Sequence, residues 1–526
     1  MKINRWFLLT ACLLFATELI VESAPTELNL PSLLSDGAVL QRNKKVNVWG
    51  WAKPGDTVTV EVLGTNTTAV ADAEGNWKLQ VGPFPAGGPY LLTVSTPGKV
   101  IVLKNVLFGE VWVASGQSNM EYEMAQLTRG GNNPLCIALG EANQKEIATA
   151  EDPLLRQYTV SRQLSWNKPL TDCQGNWMSC SPTNTGKFSA TGYYFAKVLR
   201  KELGVPVGLV KNAWGGSPIE PWMSPDLLQK EEPTRQIVRD WEQHSREYDE
   251  QIQKDPEQKK QKSPRDSFMY PSTLFNGMLS PIHAYTIAGA IWYQGEGNAN
   301  KYGLTSLYST QFMRMITEWR TKFNQGDFPF LFVQLSPYEE VSETPREAYF
   351  AEIRDEQRKT LALTNTGMAV TTDIGENDNI HAKNKQDVGY RLALWTLGNT
   401  YGKKVPEVSG PLYRDSRIDG KSIILTFDHA GKGLMVGKKV GTAPTEEVKE
   451  DLRWFQIAGE DRKWVWAQAK ITGKNTVSVS SDEVAKPVAV RYAWSSGLTG
   501  VNFYNRAGLP ASPFRTDDWP WVHGDQ

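Results

Sequence analysis

Val111 to Met120 read VWVASGQSNM. The first four residues are apolar and three of them are β-branched or aromatic, which predicts a short buried strand. Gly116 breaks that strand, and a hydroxyl follows at Ser118 between Gln117 and Asn119. The next residues, EYEMAQL, have the composition of a helix opening, with Glu121 and Glu123 where the helix dipole favours acids. A strand that turns through Gly-x-Ser into a helix places the serine at the carboxyl edge of a sheet, where open α/β folds bind ligands. The helix start behind it offers free N–H groups that can hold a developing oxyanion. A plainer role for Ser118 is an N-cap that satisfies those same amides. The stretch alone leaves both readings open.

Outward from this turn, Val106 to about Gly402 alternates strands and helices. VPVGLVKN runs into Trp214-Gly215-Gly216-Ser217, and YTIAGAIWYQ runs into Gly295-Glu296-Gly297-Asn298. FPFLFVQLSP and GMAVTTDIG are further buried strands. ATGYYFAKVLRKEL, LYSTQFMRMITEWRTKF, FAEIRDEQRKTLAL and KNKQDVGYRLALWTLGN are the helices between and after them. The segment between the Ser118 turn and residue 190 reads as loop-rich, and residues 226–266 as a charged helical excursion. The alternation predicts a parallel sheet covered on both faces.

Before it, residues 24–105 carry short alternating strands separated by Pro54-Gly55-Asp56, Glu74-Gly75-Asn76 and a Pro/Gly-rich stretch, the pattern of a small β-sandwich. After it, residues 403–526 return to strands, a second β-domain that could close back on the first, with Pro520-Trp521 tucking in the tail. A length of 526 residues suits such a multi-domain chain.

Composition narrows the function. The net charge is −1 without a long basic run, which argues against nucleic acid as a partner. Trp, at 19 residues, is as common as Tyr or Phe, as suits stacking on sugar rings as well as core packing. Residues 1–23 read as an export signal: Lys2 and Arg5, the apolar run Trp6 to Ala16, then Val21 and Ser23 at the −3 and −1 positions of a cleavage site. LTAC at Leu9 to Cys12 offers a lipoprotein reading that ranks second. No other stretch is long enough to span a membrane. In an oxidising compartment Cys173 and Cys180 are spaced for a small loop disulfide, with Cys136 left over. The spacing of the cysteines has no zinc-site logic, and no metal or cofactor is expected.

Only five histidines can serve a nucleophile: His244, His283, His381, His429 and His523. His381 lies in a polar loop between a buried strand and a helix, at the sheet edge the Ser118 turn should occupy. Asp378, three residues earlier, can reach round to fix its tautomer and stabilise the imidazolium. The competing reading has Asp378 capping the helix and His381 solvated. Gly215 and Gly216 permit a backbone N–H to approach a ligand closely, and QGEGN adds amide side chains at another strand end. Serine, glycine, amide and histidine, each after a buried strand, are the parts of acyl transfer.

GQSNM, WGGSPIEPW, WYQGEGN, FAEIRDEQ and ENDNIHAKNKQDVGYRLA together resemble the sialate O-acetylesterase family, a branch of the SGNH/GDSL hydrolases, from about Leu30 to the C-terminus. The resemblance implies an α/β fold: a flavodoxin-like three-layer SGNH hydrolase domain with flanking β-sandwich domains. It implies metal-free hydrolysis of acetyl esters on sugars. Ser118 would be the nucleophile, His381 the base and Asp378 its orienter. It places an oxyanion N–H at Gly215 or Gly216, with Gly216 preferred and Gly215 beside it as a positioning residue. The third block has Gln-Gly-Glu where the broad SGNH pattern has Gly-x-Asn-Asp, which makes Gln294 the expected amide donor, Asn298 its reserve and Glu296 a positioning residue. Arg354 and Gln357 match the helix motif and are expected to tie that helix to the back wall of the site. GQSNM lacks the second glycine of an α/β-hydrolase elbow. Acetylated sialic acid is the substrate this implies, acetylated xylan or pectin the alternative, and a non-catalytic exported sugar-binding protein the rival from another class.

Overall fold

The computed structural model describes residues 25, 27–129, 133–255, 261–299 and 305–520. The expected export signal, residues 1–23, and Trp521 lie outside the described residues.

The central sheet is built from seven strands, numbered here in chain order: β1 Lys99–Gly116, β2 Asp152–Thr159, β3 Trp177–Cys180, β4 Val207–Ala213, β5 Gly289–Tyr293, β6 Phe330–Val333 and β7 Thr366–Ala369. Their spatial order is β7-β6-β5-β1-β4-β2-β3. All neighbours are parallel except β2 and β3. Without the edge pair β2 and β3, the order in rank along the chain is 2-1-3-4-5, the flavodoxin-like winding. Register aligns the three motif-bearing strands, since Gly116 pairs with both Ala213 and Tyr293. The glycine-serine turn, the WGGS turn and the QGEGN turn therefore leave the sheet at one level.

Helices cover both faces because both faces are apolar. Trp112 packs edge-on against Phe195 of the helix Ala190–Leu203. Trp292 pairs with Ser115, three residues along and so on the opposite face, and packs against Phe312 and Trp319 of the helix Tyr308–Phe323. Trp112, Trp222, Trp292, Trp319 and Trp494 are fully buried, so much of the tryptophan excess is core packing.

Three expectations need correction. The region after Ser118 is not mainly loop: it holds the helix Pro134–Thr149 and strand β2. That helix buries Cys136, Leu139, Gly140 and Asn143, a helical stripe whose glycine and asparagine hide the apolar period. The boundary expected at residue 105 falls inside β1, which pairs with the N-terminal strand Gly87–Thr96 before it enters the central sheet. No chain break separates the two units there. Cys136, Cys173 and Cys180 are buried free thiols. The Tyr158 hydroxyl lies 3.6 Å from Cys173 Sγ, and the Thr185 hydroxyl donates to Cys180 Sγ.

The C-terminal strands from Leu412 to Arg515 form separate antiparallel sheets around their own core. They join the central unit through buried Arg354, whose guanidinium donates to the carbonyls of Leu335 and Ser336 on one side and Ser495 and Ser496 on the other. Gln357 on the same helix donates to the carbonyls of Gln294 and Val333 and accepts from Leu335 N–H. The charged excursion contains the helix Glu232–Lys254, laced with surface ion pairs such as Arg265 to Asp249.

Candidate active site

The sharp exit from β1 depends on Gly116. Its φ is +134°, and a Cβ there would sit 2.2 Å from the Tyr293 carbonyl oxygen. Gln117 is the N-cap of a four-residue helix, Ser118–Glu121, and its side chain makes no cap. Ser118 is thus the first helical residue, and its hydroxyl is available for another partner. That partner is His381, whose Nε2 lies 2.9 Å from Ser118 Oγ. The capping role considered for Ser118 does not apply.

His381 is oriented by Tyr122, whose ring stacks on the imidazole at 5.0 Å between centroids and 17° between planes. Its loop is held by Asn379, which accepts from His381 N–H and donates to the His381 carbonyl, and by Glu376, which accepts from Asn379 and from Lys383 N–H. Burial, and then the positive charge of Lys385, hold the His381 pKa below the usual histidine value, which favours the neutral base. Asp378 is not part of this frame. It is exposed, lines a neighbouring cavity with Cys136 and Leu498, and makes no hydrogen bond to His381 among the described residues.

The WGGS turn does reach the serine. A Cβ on Gly215 would lie 3.4 Å from Ser118 Cβ, yet the Gly215 N–H is already used, donating to Glu121 Oε2 at 2.8 Å. Gly216 has φ +79° and, among the described residues, no hydrogen-bond partner for its N–H. The amide expected from the third block is not placed for this work. Gln294 is fully buried, with its Nε2 on the Ser217 carbonyl and Asn298 Oδ1 and its Oε1 accepting from Tyr308. Asn298 donates to buried Glu220 and accepts from Ile219 N–H. Both amides are struts, because burial requires every polar atom to find a partner.

Behind Ser118 lies a buried network of which the sequence singled out only Glu296. Asn119 accepts from Lys385 Nζ and donates to Glu296 Oε1 and to the Ile380 carbonyl at 2.9 Å. Lys385 is fully buried over the Tyr293 ring at 5.0 Å, and burial pushes its pKa down to about 7 against the pull of Glu296 and Glu376. Burial raises the Glu296 pKa, and its Oε2 has no hydrogen-bond partner among the described residues. Gln117 Oε1 accepts from Gly295 and Gly297 N–H, latching the first motif to the third. The only sequence signal was that these polar residues sit inside the motifs themselves.

Ser118 and His381 open into a groove of about 580 Å³, with Glu121, Glu123, Arg129, Arg162 and Lys211 on its walls. Trp214 stacks on Phe268 beside it, with Arg162 over the Trp214 ring at 5.1 Å. Among the described residues no cluster of three or more His, Cys, Asp or Glu is placed to hold a metal ion.

Comparison with known proteins agrees with this geometry. A family model described as carbohydrate esterase, sialic acid-specific acetylesterase matches residues 108–397. Sialate O-acetylesterases of Homo sapiens and Pongo abelii are each 29% identical over 94% of this chain and 93% of their own. The crystal structure of a carbohydrate acetylesterase from Xanthomonas citri superposes with a TM-score of 0.79 at 38% identity, over 94% of this chain and all of that one.

Proposed function

Since the chain belongs to the sialic acid-specific acetylesterase family of carbohydrate esterases, and is a carboxylic ester hydrolase, we propose that it removes O-acetyl groups from sugars through an acetyl-serine intermediate. The observation that carries this reading is the 2.9 Å contact between Ser118 Oγ and His381 Nε2 at the floor of an open groove. His381 takes the hydroxyl proton as Ser118 attacks the acetyl carbonyl, and returns it to the departing sugar oxygen. Water then attacks the acetyl-serine, with His381 again as base, and acetate leaves. The Ser118 and Gly216 N–H groups face the oxyanion, each worth about 100- to 1000-fold in turnover by analogy with other oxyanion donors. Glu296 and Gly215 act as positioning residues, through Asn119 and Glu121. Asp378 is assigned to the Nδ1 side of His381 in the substrate complex, where catalytic hydrogen bonds tighten relative to the free enzyme.

The preferred substrate under this reading is 9-O-acetylated sialic acid, met outside the cell after export by residues 1–23. A plant polysaccharide such as acetylated xylan or pectin is the second reading, because the 38% identical relative is described only as a carbohydrate acetylesterase. Release of acetate from acetylated sialic acid, acetylated xylan and an aryl acetate, by the mature protein and by Ser118→Ala, tests the proposal. The expected result is activity in the first and none in the second, with sialic acid preferred. Undiminished activity in Ser118→Ala would exclude this nucleophile.

A further inference from the structure

Among the described residues, the groove's charges cancel in pairs with one exception. Glu121 is gripped by Arg162 through two hydrogen bonds of 2.8 and 2.7 Å. Glu123 pairs with Lys211 at 3.4 Å. Glu376, beyond Tyr122, is occupied by Asn379 and by Lys383 N–H. Arg129 has no acidic partner among the described residues, and its side chain is exposed on the groove wall. It is also not on a free tether, since its carbonyl accepts from the ammonium of Lys383, a residue nine-tenths buried.

Arg129 and Tyr122 line the same groove, and the Tyr122 ring stacks on His381. Arg162, over the Trp214 ring, and Gly215 N–H both donate to Glu121, and Arg129 lines the same groove as Tyr122 and His381. Among the described residues that line the groove, Arg129 is the one cation without an acidic partner that a ligand over Ser118 would meet. A planar guanidinium recognises a carboxylate through two parallel hydrogen bonds, which a neutral polysaccharide cannot use.

We propose that Arg129 is the specificity-determining residue of this groove, reading the carboxylate of an acetylated sugar acid. The inference rests on the esterase reading of Ser118 and His381 and narrows its substrate class. A low-salt preference for the acid follows as well, because the pair forms at an exposed position.

The test compares 9-O-acetylated sialic acid with its neutral carboxamide, in wild type, Arg129→Gln and Arg129→Lys. In wild type, kcat/KM for the acid should exceed that for the carboxamide by about 10- to 100-fold, the range for a hydrogen bond to a charged group. Arg129→Gln should bring that ratio close to one, mainly through KM for the acid. Arg129→Lys, which keeps the charge and loses the fork, should fall between. Equal losses on acid and carboxamide would assign Arg129 a structural role and overturn the inference. So would a wild-type enzyme that does not discriminate between them, with the esterase reading intact. If no substrate releases acetate, that reading fails on its own. Calorimetric affinity for free sialic acid, wild type against Arg129→Gln, then decides the role of Arg129: weaker binding by the variant supports it and equal binding overturns it.

Discussion

Lys385 gives the clearest residue-scale consequence. Its ammonium stands behind His381 and lowers the imidazole pKa, in addition to the larger effect of burial. A general base must be neutral to act, so kcat/KM falls as pH drops through the His381 pKa. Removing the cation makes His381 easier to protonate, which raises its pKa. Lys385→Met is therefore expected to move the acidic limb of the kcat/KM profile to higher pH, with the protein's fold checked by circular dichroism. An acidic limb that stays in place in a folded variant would show that the charge does not reach the base. Neither Lys385 nor Asn119 could be picked out from the sequence as site residues, because the hydrogen bond between them joins positions 266 residues apart. The pairing of Ser118 with His381 was legible because each follows a recognisable buried strand. The same logic failed for Gln294 and Asn298: a strand-end amide looks like a donor to the ligand until burial shows where its hydrogens go.

The elements that place the site are short strands ending in glycine turns. β1 matters most, since it serves two sheets and delivers Ser118 at its end. Its apolar run was readable, but its continuity across residue 105 was not, because the N-terminal half alternates as a half-exposed strand and the C-terminal half is buried on both faces. Helices with an apolar period, such as Ala190–Leu203, were readable to their ends, where Gly204 stops the chain in the left-handed region. Pro134–Thr149 was missed because half of its buried stripe is glycine and asparagine. Among the described glycines at positive φ, Gly116 has the closest neighbouring backbone. Gly116→Ala would place a Cβ against the Tyr293 carbonyl at a positive φ and should cost at least about 2 kcal/mol of stability, read by chemical denaturation. A loss below about 0.5 kcal/mol would mean that the turn relaxes and that the strain argument is wrong.

Across the whole molecule, the site depends on contacts between units that lie far apart in sequence. Arg354 is fully buried, and burial pushes its pKa down to about 9; it spends its donors on carbonyls of both the central unit and the C-terminal β-domain. Such a bridge fixes the chain after β6 against a separate core, and Asn377, which exchanges hydrogen bonds with Leu498, does the same for the loop that carries His381. The order of β-domain, α/β unit and β-domain was readable from periodicity, whereas the residues that lock them together were not. Under the proposed mechanism the acetyl group passes through Ser118. Acid quenching of the enzyme during turnover of an aryl acetate, followed by peptide mass spectrometry, tests it directly. The expected result is an acetyl group esterified to the peptide containing Ser118 and absent in Ser118→Ala; turnover with an acetyl group on another side chain, in place of Ser118, would overturn this mechanism.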